Sequence, residues 1–270
     1  MIQHRPHGLG HAYRPEPDQR VPARPIESEP IILGATTDAG ATDLSVELTI
    51  EGRTQRLALR PVAAARGPAE GAGAGHLAAA AIRQVGWGRR AWSVRLDPLV
   101  AGTHVAYRFV ADDRRQRTRR FDFVVAGWSS VGGRLAAEKV GPTSDRIVPG
   151  SVAWLRADGG PIRVRFAFRL AVGERVIGFG ERFDRLDQRG RRLDATVFEQ
   201  YKSQGARTYM PMPFVIVVGG DGWGFHVRTS RRSWYDVGVT DPDRLWVEVE
   251  LDPDEPDPEV GIALYGGAPA

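Results

Sequence analysis

The sequence predicts an all-β protein built of two consecutive β-sandwiches. Three observations carry this. Apolar residues recur at every second position through much of the chain, as half-buried antiparallel strands require. Turns rich in Gly and Asp separate these runs at short intervals, which is the spacing of sandwich strands. No stretch sustains the periodicity of a long helix.

Taken in order, residues 1–29 are rich in Pro, Arg and His and lack periodicity, so they read as an extended, partly disordered arm. His4, His7 and His11 fall near i, i+3, i+7 there. Pro6 and Gly8 oppose the helix that would align them, so no metal site is assigned. Residues 30–127 form the first sandwich. Leu44, Val46, Leu48 and Ile50 alternate with polar partners, and Leu57 with Leu59 repeats the pattern. Trp92, Val94 and Leu96 share one face, as do Val105, Tyr107 and Phe109, and "RFDFVV" follows. The Gly/Ala-rich insert "GPAEGAGAGHLAAAAIRQVGWG" is a long loop with a turn of helix around Leu77 to Ile82. "GWSSVGG", from Gly127, reads as a linker.

Residues 128–270 form the second sandwich. Ile162, Val164, Phe166, Phe168 and Leu170 alternate with a mostly Arg face. "PFVIVV" is continuously apolar, the pattern of a strand buried on both faces. "GGDG" then marks a hairpin into "GWGFHVRT", followed by "SWYDVG" and "RLWVEVELD". An acidic, Pro-rich turn leads to one last short strand.

Composition narrows the function. The chain has 270 residues, 42% hydrophobic and 26% charged, enough for a substantial core. Its +4 net charge comes almost wholly from arginine, since Lys139 and Lys202 are the only lysines. The arginines alternate with apolar residues or stand beside Asp and Glu, so they form no basic face for nucleic acid. Without cysteine there are no disulfides, thiol nucleophiles or Cys-ligated zinc. The N-terminus has no apolar core of a secretory signal, and no run approaches the roughly 18 apolar residues that cross a membrane. The expectation is a soluble, cytoplasmic protein with no cofactor and no membrane partner.

The stretch "GFGERFDRLDQRG", Gly178 to Gly190, is the densest in chemistry. A phosphate loop needs glycines between a strand and a helix N-terminus. Here the third glycine is replaced by Phe183, and Gly190 interrupts a poor helix. Glycosidase chemistry needs two carboxyls about 5 to 10 Å apart. Glu181, Asp184, Asp187 and Asp194 alternate instead with Arg182, Arg185, Arg189 and Arg191. Such neighbours favour ion pairing over a general acid. His104 and His226 have no serine in a nucleophile-elbow context. Trp87, Trp92, Trp223, Trp234, Tyr201 and Tyr209 read either as core packing or as sugar-stacking platforms.

Four motifs in order carry a resemblance. Gly178 to Phe183 ("GFGERF"), Pro213-Phe214, Gly222-Trp223-Gly224 and Trp234-Tyr235-Asp236 are similar to the N-terminal β-domain of glycoside hydrolase family 31. That family includes α-glucosidases, α-xylosidases and sulfoquinovosidases. "ALYGG" resembles the strand that leads into its catalytic barrel, and the match runs from Arg163 to Gly266. The first sandwich resembles immunoglobulin-like modules ahead of catalytic domains in starch- and maltodextrin-acting enzymes. The resemblance implies a galactose-mutarotase-like fold, an α-glycoside as partner, and a catalytic (β/α)₈ barrel of about 250 residues. Both catalytic aspartates belong to that barrel, so no catalytic residue is assigned here. Gly178, Gly180, Glu181 and Arg182 are implied as a structural turn. The loop Ala195 to Tyr209 is implied to reach toward the sugar, with Glu199, Gln200, Tyr201 and Lys202 as contacts. Many relatives carry an Asn-Arg-Asp type sequence there, so the resemblance leaves the sugar unnamed. Three readings stand: the N-terminal region of a family 31 α-glycosidase, a free-standing carbohydrate-binding or interaction module, and a complete enzyme using Glu181, Asp184 or Asp187.

Overall fold

The computed structural model describes residues 1–9, 15–62, 89–111, 115–157, 160–198 and 204–266. Every regular element among them is a strand, so no (β/α)₈ barrel lies within them. The chain divides into two compact units, Met1–Gly127 and Trp128–Ala270. The Gly/Ala-rich insert, with the turn of helix expected in it, falls outside the described residues.

The first unit has two sheets. One runs β1 (Arg20–Val21), β2 (Ile31–Asp38), β6 (Arg89–Leu96), β5 (Arg60–Val62). The other runs β4 (Arg53–Ala58), β3 (Leu44–Ile50), β7 (His104–Ala111), β8 (Gln116–Arg117), with β9 (Phe121–Val124) also paired to β7. Register places Val46 beside Phe109 and Leu48 beside Tyr107. Their shared face meets Ile31, Leu33, Ala35 and Trp92 in one buried cluster. Burying each of the larger aliphatic side chains here contributes about 1.5–3 kcal/mol.

The arm expected over residues 1–29 is, in its described part, folded onto this sandwich. Gln3 bridges to Thr36, and β1 pairs with β2. Gly34 permits the approach: a Cβ there would come within 2.3 Å of the Pro17 carbonyl oxygen. His4 is buried, with Nδ1 2.6 Å from the Gly34 carbonyl and Nε2 2.8 Å from the Tyr107 hydroxyl. A carbonyl can only accept, so Nδ1 carries the proton and Nε2 accepts from Tyr107. The Tyr107 oxygen in turn accepts from Arg20 Nη1 at 3.4 Å. The segment is held by backbone and buried polar groups, which leave no apolar periodicity to read.

In the second unit a six-stranded sheet runs β10 (Gly127–Ser129), β12 (Ala153–Ala157), β13 (Gly160–Arg169), β19 (Arg244–Glu250), β18 (Ser233–Val237), β15 (Arg191–Ala195). A five-stranded sheet runs β11 (Arg134–Val140), β20 (Glu259–Gly266), β17 (Trp223–Arg228), β16 (Pro211–Val218), β14 (Arg175–Gly180). The inner faces meet through Phe166, Phe168, Trp223 and Phe225, with Phe168 and Phe225 rings 4.4 Å apart. The "GGDG" turn joins β16 to β17. Two expectations are corrected. The linker begins with a strand, because Trp128 of β10 lies under the Arg165 guanidinium at 4.2 Å. The "PFVIVV" strand is buried on one face only: Val215 and Val217 enter the core, while Ile216 and Val218 are exposed on the other side.

Candidate functional site

The candidate site is the turn closing β14 and the loop it meets. The ladder between β14 and β16 slips between Gly178 and Gly180, forming a bulge. Phe179 sits inside it at φ 66°, an uncommon conformation for a bulky residue. Its ring is buried 4.7 Å from Tyr235, and that packing holds the backbone there. At Gly180 a Cβ would meet the Met210 carbonyl oxygen at 1.9 Å. The glycines therefore serve a close approach between β14 and the start of β16. No helix follows among the described residues, so no helix N-terminus is present to hold a phosphate.

Glu181, Arg182 and Phe183 all engage one segment. Glu181 donates its N–H to the Met210 carbonyl at 3.1 Å. Its own carbonyl accepts from the Thr208 hydroxyl and from Gln204 Nε2. Arg182 spans two carbonyls, Gly205 at 3.1 Å and Ala206 at 2.9 Å. Phe183 N–H donates to Gln204 Oε1 at 3.0 Å. Arg191 pairs with Asp184 and also donates to the Gly205 carbonyl at 3.0 Å. Gly180, Glu181 and Arg182 are thus brought together on residues 204–210, while Gly178 is packed one step back against Phe214 and Val215.

The other leg of the loop is tied to the same segment. Asp194 N–H donates to the Ala206 carbonyl and Phe198 N–H to the Thr208 carbonyl, both at 2.9 Å. The Asp194 carboxylate accepts from Arg207 Nε at 2.7 Å and from Arg232 at 2.8 and 2.6 Å. Burial alone would raise the Asp194 carboxyl, but the hydrogen bonds from Arg232 and Arg207 outweigh it and hold it below the ordinary carboxylate range. Asp184 is held low in the same way by Arg191, against its own burial. Asp187 Oδ1 accepts the N–H groups of Val176 and Arg189. Asp194 and Asp184 are thus ionised acceptors within the frame rather than poised proton donors.

Glu199, Gln200, Tyr201 and Lys202 lie outside the described residues, as does Trp87. The residues flanking the former, Phe198 and Gln204, belong to the tied base. Gln204 and Thr208 are buried polar residues of that base that no motif marks; only their place between two chemically rich runs could have drawn attention. Trp92 and Trp223 are core residues, whereas Tyr209 is exposed. His104 is exposed, and His226 is half-buried beside Phe214. Among the described residues, no group of three or more His, Asp or Glu could hold a metal ion.

Comparison with known proteins locates this architecture. Residues 8–111 match the family described as 1,3-alpha-isomaltosidase-like, N-terminal domain. Residues 105–236 match the glycosyl hydrolase 31 N-terminal galactose mutarotase-like domain. The chain is 44% identical to the 1,3-alpha-isomaltosidase of Kribbella flavida, over 100% of this chain and 36% of that protein. It also resembles the cycloalternan-degrading enzyme of Trueperella pyogenes in complex with a covalent intermediate: TM-score 0.82, 39% identity, 99% of this chain and 37% of that one. The same enzyme in complex with cycloalternan gives a TM-score of 0.83 at 38% identity, again over 99% of this chain and 37% of that one. The chain therefore spans about a third of the length of these relatives. With its ordered motifs, its bulged turn and its paired sheets, the chain belongs to the N-terminal region of glycoside hydrolase family 31, an isomaltosidase-like N-terminal domain followed by the galactose mutarotase-like domain.

Proposed function

We propose that this chain is the non-catalytic N-terminal region of a family 31 α-glycosidase that releases isomaltose units from α-1,3-linked isomaltosyl saccharides such as cycloalternan. The observation that carries this reading is the 44% identity to a 1,3-alpha-isomaltosidase along the whole chain, both units included. In this reading the second unit supports a catalytic barrel and offers it the loop Ala195 to Tyr209. The clamped base of that loop suits the task, because a contact to sugar discriminates only if its backbone is held in place. Glu199, Gln200, Tyr201 and Lys202 then supply hydrogen bonds and stacking to the saccharide.

The test is hydrolysis of cycloalternan, with isomaltose measured as product. The protein expressed from the whole reading frame releases isomaltose, and the 270-residue chain alone releases none. Turnover by the 270-residue chain that disappears on changing Glu181 and Asp184 would overturn the non-catalytic assignment. A whole protein that cleaves other α-glycosides but not this one would overturn the substrate.

A further inference from the structure

One carboxylate joins the loop Ala195 to Tyr209 to the six-stranded sheet. Asp194 stands on β15 just before the loop leaves it, and Arg207 stands on the returning leg. Asp194 Oδ1 accepts from Arg232 Nε at 2.8 Å. Its Oδ2 accepts from Arg232 Nη2 at 2.6 Å and from Arg207 Nε at 2.7 Å. The two bonds from Arg232 make a bidentate fork, which fixes direction as well as distance. The two arginines differ in what else holds them. Arg232 belongs to the sheet: its guanidinium lies 5.0 Å from the centre of the Trp234 ring, and its carbonyl accepts the Glu250 N–H at 2.9 Å. Arg207 reaches toward the loop, with its guanidinium 5.7 Å from the centre of the Phe198 ring. Phe198 is the last described residue before Glu199, Gln200, Tyr201 and Lys202. A path of contacts therefore runs from Trp234 through Arg232, Asp194 and Arg207 to Phe198.

We propose that Asp194 is a positioning residue for the substrate loop: its carboxylate holds Arg207 against Arg232 and so fixes the point from which the chain enters residues 199–202. The proposal rests on reading those four residues as saccharide contacts. Charge explains why a carboxylate is needed. Asp194 is buried, so little water screens the groups around it. With the carboxylate in place, one negative charge lies between two positive ones. Without it, two guanidiniums are left together uncompensated, which is costly where water is scarce. Arg232 is anchored to the sheet, so Arg207 is the group displaced, and its contact with Phe198 goes with it. Backbone bonds from Asp194 to Ala206 and from Phe198 to Thr208 join the two legs of the loop to each other. The carboxylate adds a tie of a different kind, from the returning leg to Arg232 at the entry of β18.

The test compares the protein from the whole reading frame with its Asp194→Asn, Arg207→Gln and doubly changed variants. KM and kcat are measured for cycloalternan, or for whichever α-glycoside the parent does cleave. A sugar contact made equally in the ground and transition states appears in KM, so each single change should raise KM about tenfold and leave kcat within about twofold. The double variant should be no worse than either single one, because both changes remove the same contact. Arg231→Gln, which breaks the neighbouring ion pair with Asp252, is the control and should leave KM unchanged. Exchange of the Phe198 amide proton, which is bonded to the Thr208 carbonyl, should speed up in both single variants. A merely structural ion pair would lower the melting temperature and leave KM where it is, and that result would overturn the proposal. Additive effects of the two changes, or an unchanged Phe198 amide, would overturn it as well. Failure of the parent to cleave cycloalternan sinks the substrate reading alone, since exchange at Phe198 and KM for the other glycoside still decide on Asp194.

Discussion

His4 shows how one buried side chain sets a pH response. Burial is the largest influence on it, outweighing its backbone hydrogen bond to Gly34, and with the nearby Arg20 charge it pushes the imidazole from 6.5 down to about 4. The hydrogen-bond chain explains the direction. Tyr107 accepts from Arg20 and donates to His4, so a proton on Nε2 would leave two donors facing each other. Between pH 6.5 and about 4 the unfolded chain binds a proton here that the folded chain refuses. Stability therefore falls as pH drops through that window, by about 3 kcal/mol from this group. Replacing His4 with Gln should flatten the dependence of the urea midpoint on pH across that range; an unchanged slope would contradict the assignment. Gly180 gives a second expectation at this scale. A Cβ 1.9 Å from a backbone oxygen, at φ 93°, cannot be relieved by a rotamer change. Gly180→Ala should lower stability by about 2–4 kcal/mol, measured by chemical denaturation. The close approach at Gly178 and Gly180 could be read from the sequence, because glycine spacing reports backbone proximity. The burial of His4 could not, since its partners lie 30 and 103 residues away.

Among the elements, those that alternate apolar and polar residues were legible, because alternation is imposed by a core on one side. β3, β7, β13 and β19 are of this kind. β11 is not: it is mostly exposed and is held at the sheet edge by parallel pairing to β20, with Glu138 reaching Arg228. Nothing in "RLAAEKV" announces a strand, since its partner supplies the reason for it. The turn after β14 and the base of the loop form a joint element with its own prediction. Arg182 holds two carbonyls through two nitrogens of one planar fork. Lysine presents a single point donor and cannot span both. Arg182→Ala should cost about 1–3 kcal/mol and speed amide exchange at Thr208, whose carbonyl and hydroxyl both serve this base. Arg182→Lys should recover less than half of the loss. Full recovery by lysine would show that charge alone, not the two-point clamp, organises the loop. The base was thus partly readable, as carboxylates and arginines destined to pair. Gln204 and Thr208 were not, because a lone polar residue in a loop carries no pattern until the fold buries it.

For the whole molecule, the apolar side chains exposed on the outer side of β16 and at the end of β11 make a prediction about solution behaviour. Hydrophobic burial is the main driving force for association and scales with apolar area removed from water. The 270-residue chain leaves Met212, Ile216, Val218 and Val140 exposed on one sheet face. Its modest +4 charge does little to oppose contact between copies. The chain alone should therefore bind a hydrophobic dye and sediment faster as concentration rises. Ile216→Lys separates this from general instability. Ile216 is 47% exposed and its side chain is turned away from the core formed by Val215 and Val217, so the change should move stability by no more than about 0.5 kcal/mol. It also places a charge among these exposed apolar side chains, where docking a second copy would have to strip its water. Velocity sedimentation of the variant should return the mass of a single chain at concentrations where the parent associates, with dye binding reduced in parallel. If the variant associates as strongly as the parent, the sticky surface lies elsewhere, and the exposed side chains around Ile216 are not what drives copies of this chain together.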